Sequence, residues 1–280
     1  MGSPRASLQG SRPTRARLVA FAHELADVSA AAITPHFRRH MAVSNKASGG
    51  AFDPVTAADR AAERAIRAHI AAHFPDHGVI GEEFGVVAAA ARYRWVIDPI
   101  DGTRSFITGS PLWGTLVGLV DGGRALIGLM NQPFTGERFW SDGRRLFWRG
   151  PRNEKRTLTT RPCRRLPEVV LATTDPELFT ADQGKAFGEI RSRVLMTRYG
   201  GDCYGYCLLA AGFIDLIIEC SLKPYDVVAL IPIIESAGGV ITAWDGGSAA
   251  EGGCIIAAGD ARVHRQAMAI LRGSAGTAQG

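Results

Sequence analysis

Trp95-Val96-Ile97-Asp98-Pro99-Ile100-Asp101-Gly102-Thr103 is the stretch from which the rest of the chain can be read. An apolar strand runs into two carboxylates three positions apart, with a turn at Pro99 and a Gly-Thr pair behind them. If Asp98 ends the strand, both carboxylates can face one cleft, with the Ile100 carbonyl between them as a third oxygen. Hard divalent cations take oxygen ligands, and magnesium keeps several waters in an octahedral shell. Gly102 lets the backbone come close to a ligand, and the amides of Gly102 and Thr103 can open a helix toward phosphate. By spacing alone, Asp-x-x-Asp-Gly is equally a turn with a solvated carboxylate.

Two further acidic segments lie on either side. Gly81-Glu82-Glu83 follows Val79-Ile80 and places acids at the end of a strand, although adjacent glutamates also suit a surface loop. Pro224-Tyr225-Asp226 precedes an apolar helix, where an aspartate could serve as an ordinary N-cap. Upstream, Leu18, Phe21, Leu25 and Val28 recur at three- and four-residue spacing and predict a helix from Thr14 to Thr34. Thr56-Ala57-Ala58-Asp59 reads as a capping box opening a second helix, with Ile66, Ile70 and Phe74 on its buried face. Strands are expected at Tyr93–Ile97, Thr115–Val120, Ala125–Asn131 and Arg138–Trp140. The basic, polar stretch Gly150–Leu166 reads as a crossing between two halves. The second half alternates, with strands at Val169–Ala172, Ile214–Glu219, Val240–Ala243 and Cys254–Ala257. Its helices are expected at Cys203–Ala211, Val227–Ala237 and Arg262–Leu271, with Pro232 bending the second or lying in its first turns. Such a mixture indicates an α/β or α+β protein of layered sheets and helices.

Composition narrows the function classes. With 280 residues and 46% apolar content the chain can bury a large core. Its longest apolar runs are too short to cross a bilayer, so no membrane partner is expected. The arginine-rich start lacks the apolar stretch of a secretory signal, and a cytoplasmic location is expected. A formal charge of +5, spread rather than striped, argues against a nucleic-acid partner. The five cysteines form no zinc-type pairing and are expected as reduced core thiols.

Taken in order, these segments resemble the inositol monophosphatase family of magnesium-dependent, lithium-sensitive phosphatases. The family's Trp-x-x-Asp-Pro-Ile-Asp-Gly-Thr signature is intact at Trp95–Thr103. Its Gly-Glu-Glu element is similar to Gly81–Glu83, its Thr-x-x-Asp element to Thr56–Asp59, and its late Trp-Asp and Ala-Gly-Gly to Tyr225-Asp226 and Ala237–Gly239. The likeness covers roughly residues 14 to 272. It implies an α+β, layered αβαβα fold of the sugar-phosphatase type with the site at the junction of the halves. The implied organisation is a disordered tail (1–13), an N-terminal half with the metal motifs (14–149), a C-terminal half (150–272) and a flexible tail (273–280).

The same resemblance implies two to three Mg2+ ions. Glu82, Asp98 and the Ile100 carbonyl would bind the first, and Asp98, Asp101 and Asp226 the second, while Glu82 would help to hold a weaker third. Gly102 and Thr103 would receive the phosphate. Thr103, hydrogen-bonded to Asp59, would orient the attacking water, with Glu82 the third catalytic group; Glu83 would support the site from behind. A homodimer is implied only by family habit.

Phe106–Thr115, Asn131-Gln132-Pro133, Tyr199–Tyr204 and Leu222–Asp226 look like one branch of the family, the histidinol-phosphate phosphatases of histidine biosynthesis. Tyr225 replaces the usual tryptophan, and Ser105 stands where many inositol phosphatases have asparagine. A small phosphate monoester carrying an ammonium group and an imidazole calls for acidic residues at the far end of its pocket. Asp202 and Glu219 are the candidates, with an N-cap and a strand-end salt bridge as their plainer roles. Inositol, other sugar or nucleotide phosphates are the alternative substrates, and a non-catalytic regulatory protein is a distant one.

Overall fold

The computed structural model describes residues 12–40, 42–45 and 54–276. The chain opens with α1 (Arg15–Ile33), capped by the Thr14 hydroxyl, which accepts from the Arg17 amide. A two-stranded ribbon, β1 (Ser44–Asn45) and β2 (Pro54–Val55), leads to α2 (Ala57–His73). That helix starts with the expected capping box: the Asp59 carboxylate accepts from the Thr56 amide at 2.8 Å.

Eight strands then form the first sheet: β3 (Gly78–Gly81), β4 (Gly85–Val87), β5 (Tyr93–Asp101), β6 (Gly114–Asp121), β7 (Arg124–Gln132), β8 (Glu137–Ser141), β9 (Leu146–Arg149) and β10 (Lys155–Leu158). Their spatial order is β10-β9-β8-β7-β6-β5-β3-β4. Only the β3–β5 pairing is parallel; the others are antiparallel. The short helix α3 (Thr103–Ile107) follows β5. The second sheet, in the order β12-β11-β13-β15-β14, contains β11 (Val170–Thr173), β12 (Met196–Tyr199), β13 (Leu216–Leu222), β14 (Val240–Ala243) and β15 (Gly253–Ala258). Its helices are α4 (Ala181–Arg191), α5 (Asp202–Ala210), α6 (Pro224–Val227), α7 (Leu230–Ser236) and α8 (Ala261–Gly276).

Alternation along the strands stacks these pieces. Trp95, Ile97, Val117 and Leu129 face outward onto Phe21, Leu25, Ile66 and Ile70 of α1 and α2. Leu116 and Met130 face inward, where α5 and α7 contribute Tyr206, Leu209, Ile233 and Ile234 and the second sheet adds Ile217 and Ile255. The far face of the second sheet is covered by Phe187 and Ile190 of α4 and Val263 and Met268 of α8. The result is five layers, αβαβα, in an α+β protein.

Several expectations are corrected. Lys155–Leu158, inside the stretch expected as a crossing, is the edge strand β10. The helix expected over Val227–Ala237 is two helices separated at Val228-Ala229, with Pro232 in the first turn of α7, where its missing N–H costs nothing. Helix α8 continues to Gly276, into the segment expected as a flexible tail, while residues 1–11 and 277–280 of the expected tails lie outside the described residues. Cys220 and Cys254 form a disulfide between neighbouring strands β13 and β15, against the expectation of five reduced thiols. Cys163, Cys203 and Cys207 are free and buried. Among the described residues no helix is long and apolar enough to cross a membrane.

The break between α6 and α7 rests on the first sheet at two glycines. A Cβ on Gly128 would lie 1.8 Å from the Ala229 carbonyl oxygen, and one on Gly118 would lie 3.0 Å from Val228 Cγ1. Only bare backbone lets the inner layer lie this close. Gly128→Ala is therefore expected to cost ~3 kcal/mol by overpacking, read as a lowered urea midpoint. Gly188→Ala in α4, where a Cβ meets nothing within 4 Å, should instead leave stability unchanged or raise it by about 0.4–1 kcal/mol.

Candidate active site

The site begins in strand β5. It does not stop at Asp98: pairing with β6 resumes at Asp101↔Gly114 after an irregularity between Asp98 and Asp101. That irregularity carries Pro99 and Ile100 and turns both carboxylates toward the inner layer. Asp98 Oδ1 accepts from the Ile100 amide at 3.0 Å, which holds the turn. Gly102 follows with φ +86°, and a Cβ there would meet Asp202 Oδ2 at 2.9 Å and the Leu112 carbonyl at 3.0 Å. Glycine is required by conformation and by space.

Asp226 arrives from the other half as the third residue of α6, not as an N-cap; its Oδ2 accepts from the Lys223 amide at 2.7 Å. One carboxylate oxygen each from Asp98, Asp101 and Asp226 lies within 4.8 Å of the other two. Glu82 borders the same cleft and faces Asp98 and Asp226 electrostatically. Asp101 is tied to the second half by the Cys203 amide, which donates to its Oδ2 at 2.6 Å.

Burial first, and then neighbouring carboxylates, push Asp98 and Asp101 well above the usual carboxylate range. Burial also raises Asp226 and Asp202 to about 7. Close acids without a cation can persist only by holding protons. An all-oxygen, tightly grouped donor set fits a hard divalent ion, and Asp98, Asp101 and Asp226 are the residues that could hold one.

The cleft, about 580 Å³, extends from these acids along Gly102, Thr103 and Ser105 to Thr174, Asp202 and Glu219. Asp202 is the first residue of α5 rather than its cap, with φ +44° and its carboxylate accepting from Ser105 Oγ at 3.0 Å. Glu219 is buried and well bound, which replaces the strand-end salt bridge. Its Oε1 accepts from the Thr174 amide at 2.9 Å and the Thr174 hydroxyl at 2.5 Å, and its Oε2 from the Tyr206 hydroxyl at 2.8 Å. Oε2 keeps one acceptor position. Arg104 and Asp175 pair at 2.8 Å on the rim.

The expected Thr103–Asp59 hydrogen bond is not made. Thr103 Oγ1 donates to the Ile100 carbonyl at 3.0 Å, while Asp59 Oδ2 is taken by the Thr56 amide and hydroxyl of its own capping box. Asp59 Oδ1 stays buried without a hydrogen-bond partner. Glu83 lies 3.8 Å from Arg60, and its amide donates to Glu63. Thr174, Asp175 and Tyr206 were not singled out in the sequence. Thr174-Asp175-Pro176 at the exit of an apolar strand was the available signal.

Five alternating layers, with a cluster of carboxylates where the two halves meet, define the class of molecule. The chain belongs to the inositol monophosphatase family, whose model matches residues 14–274. It is 42% identical over 267 residues to the bifunctional phosphatase IMPL2, chloroplastic, of Arabidopsis thaliana, covering 91% of this chain and 75% of that protein. It is 34% identical over 264 residues to a histidinol-phosphatase of Streptomyces coelicolor, covering 89% of this chain and 95% of that protein. The solved structure of an inositol monophosphatase from Zymomonas mobilis is similar at TM-score 0.82 and 39% identity, covering 93% of this chain and all of that one (100%). Family and relatives make the chain a phosphatase of small phosphate monoesters, and members of the family are magnesium-dependent.

The raised carboxylates set a pH dependence whose sign can be worked out. Between the ordinary aspartate value and about 7, the folded metal-free protein keeps protons on Asp202 and Asp226 that the unfolded chain has released. Its stability therefore falls as pH rises through that window and levels off above it. Mg2+ must displace those protons, so it should raise the melting temperature more at pH 8 than at pH 5. A larger shift at pH 5, measured by differential scanning fluorimetry, would contradict this account.

Proposed function

We propose that the chain hydrolyses L-histidinol phosphate to L-histidinol and phosphate with bound Mg2+. The carrying observation is that Asp202 and Glu219, two acids outside the Asp98–Asp101–Asp226 cluster, line the same cleft, each held by hydrogen bonds. Histidinol phosphate presents an ammonium and an imidazole, and a cleft wall of acids suits that end. The name borne by the Streptomyces coelicolor relative supports the same reading.

In this proposal Glu82, Asp98, the Ile100 carbonyl, Asp101 and Asp226 hold the two to three ions. Bound there, magnesium supplies charge neutralisation of the phosphate, a lowered water pKa and stabilisation of the departing alkoxide. The amides of Gly102 and Thr103 receive phosphate oxygens. Thr103, whose hydroxyl donates to the Ile100 carbonyl, keeps lone pairs with which to accept a hydrogen bond from the attacking water and so orient it. Asp59 Oδ1 is the spare acceptor available should that hydroxyl turn. Ser105 holds Asp202 in place for the substrate's cationic end.

Activity should vanish on chelation and return with magnesium, and Asp98→Asn should be the most damaging single change. Thr103→Ala should lower turnover ~10²-fold, in the range of a lost positioned proton acceptor, with substrate affinity changing far less. A collapse of affinity with normal turnover at saturation would make Thr103 a binding residue instead.

Substrate choice is tested by kcat/KM on a panel of phosphate monoesters. Histidinol phosphate should exceed inositol 1-phosphate, and Asp202→Asn should weaken it selectively by about ten- to a hundredfold, as for a lost charge-assisted hydrogen bond. Equal losses on both substrates would assign Asp202 to the fold. The similarity to the Zymomonas mobilis inositol monophosphatase supports a second reading, in which inositol 1-phosphate is the better substrate.

A further inference from the structure

We infer a second metal site, for a divalent transition metal, formed by Glu24, His69 and His73 on the outer helical layer. His69 and His73 stand one turn apart on α2 and face α1, which supplies Glu24. One ligand atom from each lies within 4.8 Å of the other two.

The rings are already oriented. Phe21 of α1 stacks on His69 at 5.2 Å and 12° and touches His73 at 5.5 Å, while the two imidazoles lie 4.3 Å apart. His73 Nδ1 lies 2.9 Å from the His69 carbonyl oxygen. A carbonyl only accepts, so Nδ1 carries the proton and Nε2 is left with a free lone pair. This is the arrangement in which a backbone carbonyl orients a metal-binding histidine. His69 Nε2 faces Glu24 Oε2 at 3.2 Å, and a metal would take the place of the proton between them. Arg17 occupies the other carboxylate oxygen, Oε1, at 2.7 Å. Its charge lowers the affinity of the site but leaves Oε2 for the metal.

Two imidazole nitrogens and one carboxylate oxygen favour copper, nickel or zinc, and disfavour magnesium, which prefers oxygen. Ligands of a tetrahedral zinc sit roughly 3.3 Å apart, given metal–nitrogen bonds of about 2.0–2.1 Å. A small shift of the exposed His73 ring that keeps its Nδ1 hydrogen bond closes the remaining gap. The ligands are half-exposed or exposed, which gives a metal an entry path and leaves room for water as a further ligand. The donor set also separates this site from the cleft, whose cluster offers only oxygen. A metal here would clamp α1 to α2.

Copper(II) is the probe, added to the untagged full-length chain in saturating Mg2+ and followed by electron paramagnetic resonance. One equivalent should bind with superhyperfine splitting from two nitrogens. His73→Ala should abolish that two-nitrogen signal, and Glu24→Gln, which preserves shape, should weaken copper binding at least ~10-fold, on the scale of a disturbed metal site. His40→Ala should leave the signal intact, and Mg2+-dependent phosphatase activity should be unchanged in all three variants. A two-nitrogen signal that survives His73→Ala, or purely oxygen coordination in the unmodified protein, would overturn the site.

Discussion

Mutual repulsion among buried carboxylates is the constraint on which this structure turns. Asp98, Asp101 and Asp226 place oxygens within 4.8 Å of one another, with Asp98 buried and the other two half-buried at the cleft. Nothing about hydrophobic burial favours that arrangement; water would solvate each acid better alone. The fold holds it by contacts that are local and specific. The Ile100 amide holds Asp98, the Cys203 amide holds Asp101, and the Lys223 amide holds Asp226. Each is a backbone donor to a carboxylate, among the stronger hydrogen bonds available.

Two of those three amides belong to the half that carries the second sheet. The cluster is therefore a product of the inner helical layer, which is packed against both sheets at once. The close seat of Val228-Ala229 on Gly118 and Gly128 sets how near Asp226 can come to β5. Ser105 bonded to Asp202 and Arg104 paired with Asp175 add further ties around the cleft. Packing, backbone conformation and electrostatics are thus not separate here: a glycine in one sheet positions an acid attached to the other.

Much of this was legible in the sequence, for identifiable reasons. Thr14 and Thr56 announce helix starts because a hydroxyl beside free amides leaves a chemical trace in the residue type. Strand β14 was readable over its whole length, Val240–Ala243. What escaped was either weakly patterned or non-local. Lys155–Leu158 is an edge strand without a buried residue, so no alternation marks it. Helix α4 carries Gly184 and Gly188, which dilute its periodicity, and β12 is largely exposed. The Cys220–Cys254 pair spans 34 residues and exists only because β13 and β15 are neighbours. Of the acids of the cleft, all but Asp175 were singled out. Their hydrogen bonds were legible only in part: the capping box tied Asp59 to Thr56, but that this leaves Thr103 to the Ile100 carbonyl is decided by rotamers rather than by residue identity.

The cleft's two walls have different origins. Asp101, Gly102 and Thr103, with Asp98 buried just behind them, all come from β5 and the turn after it, one short and continuous piece of backbone. The opposite wall is assembled from separate segments, with Thr174 after β11, Asp202 at α5, Glu219 on β13 and Tyr225 in α6. A substitution in the first group disturbs several neighbours in a shared rigid unit. In the second group the ties are hydrogen bonds between elements: Thr174 donates to Glu219 and accepts from the Asp202 amide, so these positions are coupled across three segments. The architecture thus separates a wall fixed by one run of backbone from a wall fixed by bonds between segments, so new side-chain chemistry can enter this cleft from the second half as matched sets while the first stays as it is.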